Sequence, residues 1–494
     1  MKTLYYFLVI CLLLILSCQN TPTTVKHDHQ LMDTVQLSEA FEQFKEPSLT
    51  HRRIKHRDIE PLLQALNENN DFSITRLGQS VQQRAIYQVD YGSGDKKIML
   101  WSQMHGDEST ATMALFDIFN FLAAKNDAYD SIRTILKSKT HLMFIPMLNP
   151  DGAERFQRRN AMGIDLNQDA RRGTTPEASL LIEAAKKNEP DYGYNLHDQQ
   201  KYYTAAYSGK AATISFLAPA YNYEREINDV RSDAMKIIVG MNKLLQAYIP
   251  GHVARYNDTH EPRGFGDNFQ KWGASTVLIE SGGYPGDPEK QFIRKLNFII
   301  ILQSLLDIAL DNYQQNDVQG YDSIPENAVK LNDVVIRNIH FENDTLSYKT
   351  DVAIRQDEIT TPKGFYHIGR IADVGDLKES HGYHELDAEG LTFAEAKVYP
   401  EAFSTLSAIS LEKATNLLHK GYYAVKIENM PTEKNYNLPL VVLKNGSPLG
   451  GGLYLGMRAN FFLKKGNTLK YAMINGYLID LEKPIHQNFQ QYVR

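Results

Sequence analysis

Lys97-Ile98-Met99-Leu100-Trp101-Ser102-Gln103-Met104-His105-Gly106-Asp107-Glu108 is the stretch on which the fold turns. Lys97 to Trp101 is a short apolar run of the kind that forms a buried strand, and it gives way within a few residues to a glycine-containing turn. From Glu108 to Ala124, apolar Ala111, Leu115, Ile118 and Leu122 recur at helical spacing, so a strand, a turn and a helix follow one another. The same alternation continues downstream. His141 to Pro146 and Tyr192 to His197 read as strands, Pro176 to Lys186 as a helix opened by proline, and Glu224 to Tyr248 as a long helix. Thr276 to Glu280 is a further strand, and Pro288 to Leu310 is a helix apolar around most of its circumference and therefore buried. Strands alternating with helices predict an α/β domain over residues 51–315, with a mixed, largely parallel sheet and helices on both faces.

Beyond Asp311 the pattern changes. A polar, flexible passage around Gln314 to Gly320 is followed by β-type segments: Val334 to Ile336, Thr345 to Tyr348, Tyr422 to Ile427 and Leu438 to Leu443. Leu411 to Leu418 is the one helical pattern among them. Residues 325–494 are therefore expected to form a separate, mostly β accessory region.

The chain has 494 residues, too many for one ordinary core. Hydrophobic residues at 43% and charged residues at 23% fit a folded body rather than a disordered chain. A net charge of -6, with basic residues scattered among acidic ones, argues against nucleic acid as a partner. The beginning reads as targeting: Lys2, an apolar run from Leu4 to Leu16, then Ile15-Leu16-Ser17-Cys18. The run falls short of the roughly 20 residues that span a bilayer. It looks like a bacterial lipoprotein signal, which implies a signal peptide over 1–17, a lipid on Cys18, and an extracytoplasmic body tethered to a membrane. Residues 18–50 are expected to be a polar spacer, on which His27 and His29 are solvated. Cys11, the only other cysteine, lies in the segment to be removed. No internal disulfide is then possible, and a metal site has to be built from histidine and carboxylate.

In an open α/β sheet the carboxyl ends of the strands are where ligands bind. His105 and Glu108 lie at one such end, three residues apart, and His197 lies at another, in Asn195-Leu196-His197-Asp198. Two imidazoles and one carboxylate leave a zinc coordination position open, the pattern of catalytic rather than structural sites. Further motifs occur in order: Gly78 to Ile86, Asn149-Pro150-Asp151-Gly152, Arg158-Arg159-Asn160-Ala161-Met162-Gly163-Ile164-Asp165-Leu166-Asn167, and Ile279-Glu280-Ser281. With these, the region from about Asp58 to Leu310 resembles the zinc metallocarboxypeptidases of the carboxypeptidase A type.

The resemblance implies Zn²⁺ held by His105, Glu108 and His197, a water activated by the metal, and Glu280 as general base. By spacing, Arg158 matches the arginine that polarises the scissile carbonyl, with Arg159 its competitor. Asp107 and Asp198 are expected to orient an imidazole, Asp165 to secure its turn, and Asp151 and Gly152 to serve turn chemistry. Substrate-binding positions are Asn167, Gln168, Arg171 and Tyr256. The sequence departs from the family at Gln168, where an arginine clamps the substrate carboxylate; an amide cannot give that bidentate, charge-assisted pairing. Arg171 or Arg172 is the expected replacement. The leading expectation is a zinc carboxypeptidase acting on peptides. The alternatives are a peptidoglycan-peptide hydrolase or amide deacylase on the same scaffold, and a non-catalytic ligand-binding lipoprotein. Side-chain preference and oligomeric state are not encoded in any motif.

Overall fold

The computed structural model describes residues 32–444, 453–486 and 488–494, and the structure below is that of residues 34–494, one compact unit. The expected signal peptide, Cys18 and the His27 and His29 pair lie outside the described residues. Among the described residues, no helix is long and apolar enough to cross a membrane.

Among the described residues, nine strands precede residue 300. They are β1 (Phe72–Gln79), β2 (Ala85–Tyr91), β3 (Lys96–Ser102), β4 (Thr140–Ile145), β5 (Tyr192–Asp198), β6 (Tyr203–Ala205), β7 (Ile214–Leu217), β8 (Val253–Arg255) and β9 (Ser275–Ser281). All but β6 join one sheet in the order β1-β2-β4-β3-β5-β9-β7-β8. Its centre, β4-β3-β5-β9, is parallel, whereas β1, β2 and the β9-β7 junction are antiparallel. The mixed, largely parallel sheet of the sequence analysis is thus what the chain forms. Period-two alternation divides β3 between two layers. Met99 and Trp101 pack with Leu181, Phe265 and Phe269, the ring of Trp101 lying 4.1 Å from that of Phe269. The other face is covered by the helices Thr110–Ala123, Asp229–Leu245 and Gln291–Ala309.

Element boundaries move where side chains compete for backbone groups. The helix expected from Glu108 begins at Thr110, since Glu108 is held in the turn by its contacts with two histidines. The helix expected from Glu224 begins at Asp229, where the Asn228 side chain accepts the Arg231 N–H. The helix expected from Pro288 begins at Gln291, because the Asp287 carboxylate accepts the N–H groups of Gln291, Phe292 and Ile293. The strand expected over Thr345 to Tyr348 starts at Ser347; Asn343 Oδ1 holds residues 343–346 in a turn by accepting from Thr345 and Leu346.

Two expectations about organisation need correction. The polar spacer drawn over 18–50 does not extend through its second half. Thr34–Phe44 is a helix that buries Leu37, Ala40, Phe41 and Phe44, with Phe41 edge-on to Phe298 at 5.7 Å. Four apolar residues at helical spacing in an otherwise polar stretch are enough to dock it. The C-terminal region is mostly β, with an eight-stranded sheet, a three-stranded sheet and the helix Leu411–His419, but it is not detached. β6 pairs with β10 (Asn327–Val329), and the carboxylate of Glu358 is shared by Arg52 and Arg53. Both guanidinium groups also lie over the rings of Phe156 and Phe365.

Burial alone would raise the Glu358 carboxyl, yet His367 and the two guanidinium groups hold it at about 2. A depressed carboxylate contributes stability that is present above its unfolded value and lost as the pH falls through the folded one. Glu358→Gln is therefore expected to cost about 2 kcal/mol at neutral pH. Denaturant midpoints should show the gap from wild type at pH 7 and a smaller gap at pH 3; an unchanged gap would refute the assignment.

Candidate metal centre

The centre is assembled from two turns that press against each other. After β3 the chain turns through Gln103, a non-glycine residue at φ 49°, and reaches His105. This turn is laced to the Asn149-Pro150-Asp151-Gly152 turn: the Asn149 N–H donates to Gln103 O at 3.0 Å, and Asn149 Nδ2 donates to Met104 O at 3.1 Å. Gly106 makes the approach possible. A Cβ there would lie 2.0 Å from the Gly152 carbonyl carbon, so no other residue fits. Asp151, read as turn chemistry, is fully buried and accepts from Ser80 Oγ, Gln82 N and Arg84 Nη1. That ties the turn to the end of β1.

His105, Glu108 and His197 converge here, all three buried. His105 Nδ1 lies 2.8 Å from Glu108 Oε1, His197 Nδ1 lies 2.7 Å from Glu108 Oε2, and the two Nδ1 atoms are 3.1 Å apart. Ligands at tetrahedral angles around zinc, each about 2.1 Å from the ion, are about 3.4 Å from one another. The two Nδ1 atoms, 3.1 Å apart, come within a few tenths of an ångström of that spacing, the two Glu108 oxygens lie closer, each to a different imidazole, and the donor set of two imidazoles and a carboxylate suits zinc. The electrostatics agree. Burial opposes the charge on Glu108, but His105 and His197 override it and hold the carboxyl well below its ordinary value. Burial likewise opposes a charged His105, yet Glu108 and Asp165 push it up to about 9, while burial keeps His197 below its usual value.

The orienting partner of His105 differs from the expectation. Its Nε2 donates to Asp165 Oδ1 at 2.9 Å, which turns Nδ1 toward the centre. Asp165 also caps its own turn by accepting from Asn167 N. Asp107 and Asp198, read as imidazole partners, are not. Asp198 accepts from Thr110 Oγ1 and Lys290 Nζ, and the buried Asp107 Oδ1 has no hydrogen-bond partner. The reason is distance along the chain: a partner 60 residues away leaves no mark on the local spacing of His105. Lys290, which links Asp198 to Ser281 O beside the end of β9, went unread for the same reason.

Arg158, not Arg159, faces the centre. Its Nη1 donates to Glu108 Oε1 at 3.0 Å and its Nε to Asp165 Oδ2 at 2.9 Å, whereas Arg159 is exposed and reaches only Gly163 O. Glu280 stands opposite His197 in the parallel register of β5 and β9. Burial, then the nearby Glu108 carboxylate, raise its carboxyl well above the ordinary range, and its Oε2 is buried without a partner. Tyr256 lies close enough to feel the charges of Glu280 and Glu108, which together with burial keep its hydroxyl protonated; its ring packs against Tyr203 at 5.5 Å. Asn167 Oδ1 accepts the Phe265 N–H, and Gln168 is half-buried with an unpartnered Oε1. Arg171 and Arg172, the expected replacements of the missing clamp, are both exposed. The neighbouring Asp169 explains this: it accepts from Thr174 and Thr175 and folds the segment into a surface turn.

Fold and site define an α/β protein with a candidate single-metal centre at its strand ends. A family profile described as zinc carboxypeptidase matches residues 59–189. Carboxypeptidase D of Rattus norvegicus is 29% identical over 152 residues, which is 27% of this chain and 11% of that protein. Carboxypeptidase D of Anas platyrhynchos is 30% identical over 137 residues, 24% of this chain and 10% of the relative. The chain thus spans about a tenth of the length of these relatives. Among solved structures, a metallo-carboxypeptidase from Burkholderia cenocepacia has a TM-score of 0.42 at 16% identity, covering 52% of this chain and 69% of that one.

Asp165→Asn is expected to weaken zinc binding by about 10- to 100-fold while leaving the fold intact. Competition with a chromophoric chelator measures this; unchanged affinity would mean that Asp165 serves its turn alone. Gly106→Ala should fail to hold stoichiometric zinc, as metal analysis of the purified protein would show.

Proposed function

We propose that this protein is a zinc-dependent hydrolase of the metallocarboxypeptidase type that cleaves peptide bonds. One observation carries the reading: Glu280 stands in register beside His197, with a free buried carboxylate oxygen next to three converging metal donors. His105, Glu108 and His197 would hold the zinc. When bound, the ion supplies Lewis acidity and a water acidified toward about pKa 7. Glu280 accepts a proton from the attacking water and passes it to the leaving nitrogen, a transfer suited to a carboxyl held above its ordinary value. A cation held beside Glu108 would offset the burial and repulsion that raise Glu280, so that the base would be ionised when the site is loaded. Arg158, anchored through Nε by Asp165, presents its guanidinium to the oxygen on which negative charge develops. Asn167, Gln168 and Tyr256 are assigned to the released residue.

Gln168 supports a second reading on the same scaffold. With an amide at this position and Arg171 and Arg172 exposed, the site favours a leaving portion without a clamped free carboxylate, as in a peptidoglycan peptide or another amide. The lipid on Cys18, and the extracytoplasmic location it entails, belong to this proposal on the strength of residues 15–18.

Mass spectrometry of products from defined peptides and muropeptides, with zinc-loaded protein, tests both readings. Stepwise loss of C-terminal residues supports the first, and cleavage elsewhere supports the second. Glu280→Gln is expected to keep zinc and lose turnover by at least about 100-fold. His197→Ala should lose the zinc as well; equal zinc loss in the two variants would show that Glu280 is a ligand rather than the base.

A further inference from the structure

The cleft that opens beside the metal centre is built by both parts of the chain. Asp107, Glu108 and Arg158 line its inner end, and Gln356, His384 and Tyr477 of the C-terminal region line it from across. Its volume is about 1340 Å³. Pockets that hold a single small molecule run to about 300–1,000 Å³, so this one exceeds what one amino acid or dipeptide requires. Asn167, Gln168 and Tyr256 do not line it.

The C-terminal side of the cleft is fixed in place by the loop that leaves the metal ligand His197. Asp333 binds Lys201 Nζ, accepts from Tyr202 Oη at 2.6 Å, and accepts from Gln356 N at 2.7 Å. Tyr383 Oη donates to Lys201 O at 2.7 Å, and the Arg355 guanidinium lies 4.5 Å from the centroid of the Tyr202 ring. The fit is close: a Cβ on Gly283, just past Glu280 and Ser281, would come within 2.3 Å of Tyr383 Oη. A surface held by this many part-buried contacts is a preformed wall rather than a swinging lid. It offers the amide of Gln356, the imidazoles of His367 and His384 and the ring of Tyr477 alongside the carboxylates of Glu385 and Asp480, groups able to hydrogen-bond the main chain of an extended peptide.

We infer that the C-terminal region is a substrate-binding wall of the active site, receiving several residues of a peptide on the side of the scissile bond away from Asn167, Gln168 and Tyr256. This rests on the hydrolase reading for which side is which. The wall itself follows from the cleft and its anchors.

The test uses the full zinc-loaded chain carrying Glu280→Gln, so that binding is read without turnover. Peptides of two and six residues with the same C-terminal pair are compared by calorimetry. The longer peptide is expected to bind about tenfold more tightly, and adding His384→Trp, a substitution at an exposed cleft position, should remove that gain. His384→Ala is the companion variant, expected to weaken only the longer peptide. Equal affinity at both lengths, equal weakening of both by the variants, or no binding of either would overturn the inference. Turnover of the same peptides by the wild type is scored separately. Length-dependent binding without hydrolysis would sink the hydrolase reading and leave the wall standing.

Discussion

Two imidazole nitrogens and the two oxygens of one carboxylate are gathered in a buried place, each nitrogen within about 3 Å of the other and of one oxygen. Burial makes the Glu108 carboxylate costly unless positive charge sits beside it, and much of the surrounding structure holds these groups together. β3 and β5 run parallel and end side by side, so that His105 and His197 arrive from distant parts of the chain at one height. Gly106 lets the first turn close against the second, and Asp165 fixes the tautomer of His105 from the opposite side. Arg158 then bridges Glu108 and Asp165, which places one guanidinium against two carboxylates.

The same parallel register sets the chemistry apart from the metal holding. Glu280 on β9 is opposite His197 on β5, so the proposed base and the candidate ligand are neighbours on adjacent strands. Burial and the Glu108 carboxylate make the ionised form of Glu280 costly until a cation balances the site. In the proposed mechanism, metal binding and ionisation of Glu280 would be coupled through charge.

The C-terminal region alters the meaning of the cleft. Its contact with the loop after His197 runs through Asp333, Tyr383 and the β6-β10 pair, and with the segment before residue 55 through Glu358. These anchors flank the site on two sides. A region that reads as a separate appendage by composition thus lines the cleft beside the candidate metal centre.

Short-range chemistry was legible in the sequence. The alternation of apolar runs and helical periods predicted the mixed sheet, and the three-residue spacing of His105 and Glu108, with His197, Arg158 and Glu280 in their motifs, marked the residues that the fold gathers. These readings succeed because strand, turn and helix preferences, and a turn that aims two side chains at one point, are encoded within a few residues. Other features needed the tertiary structure. Asp165 as the partner of His105, Arg158 rather than Arg159 toward the centre, the exposure of Arg171 and Arg172, the docked helix Thr34–Phe44 and the wall around His384 all depend on contacts between segments tens to hundreds of residues apart. Such pairings are decided by how finished elements pack, and local spacing carries no record of them.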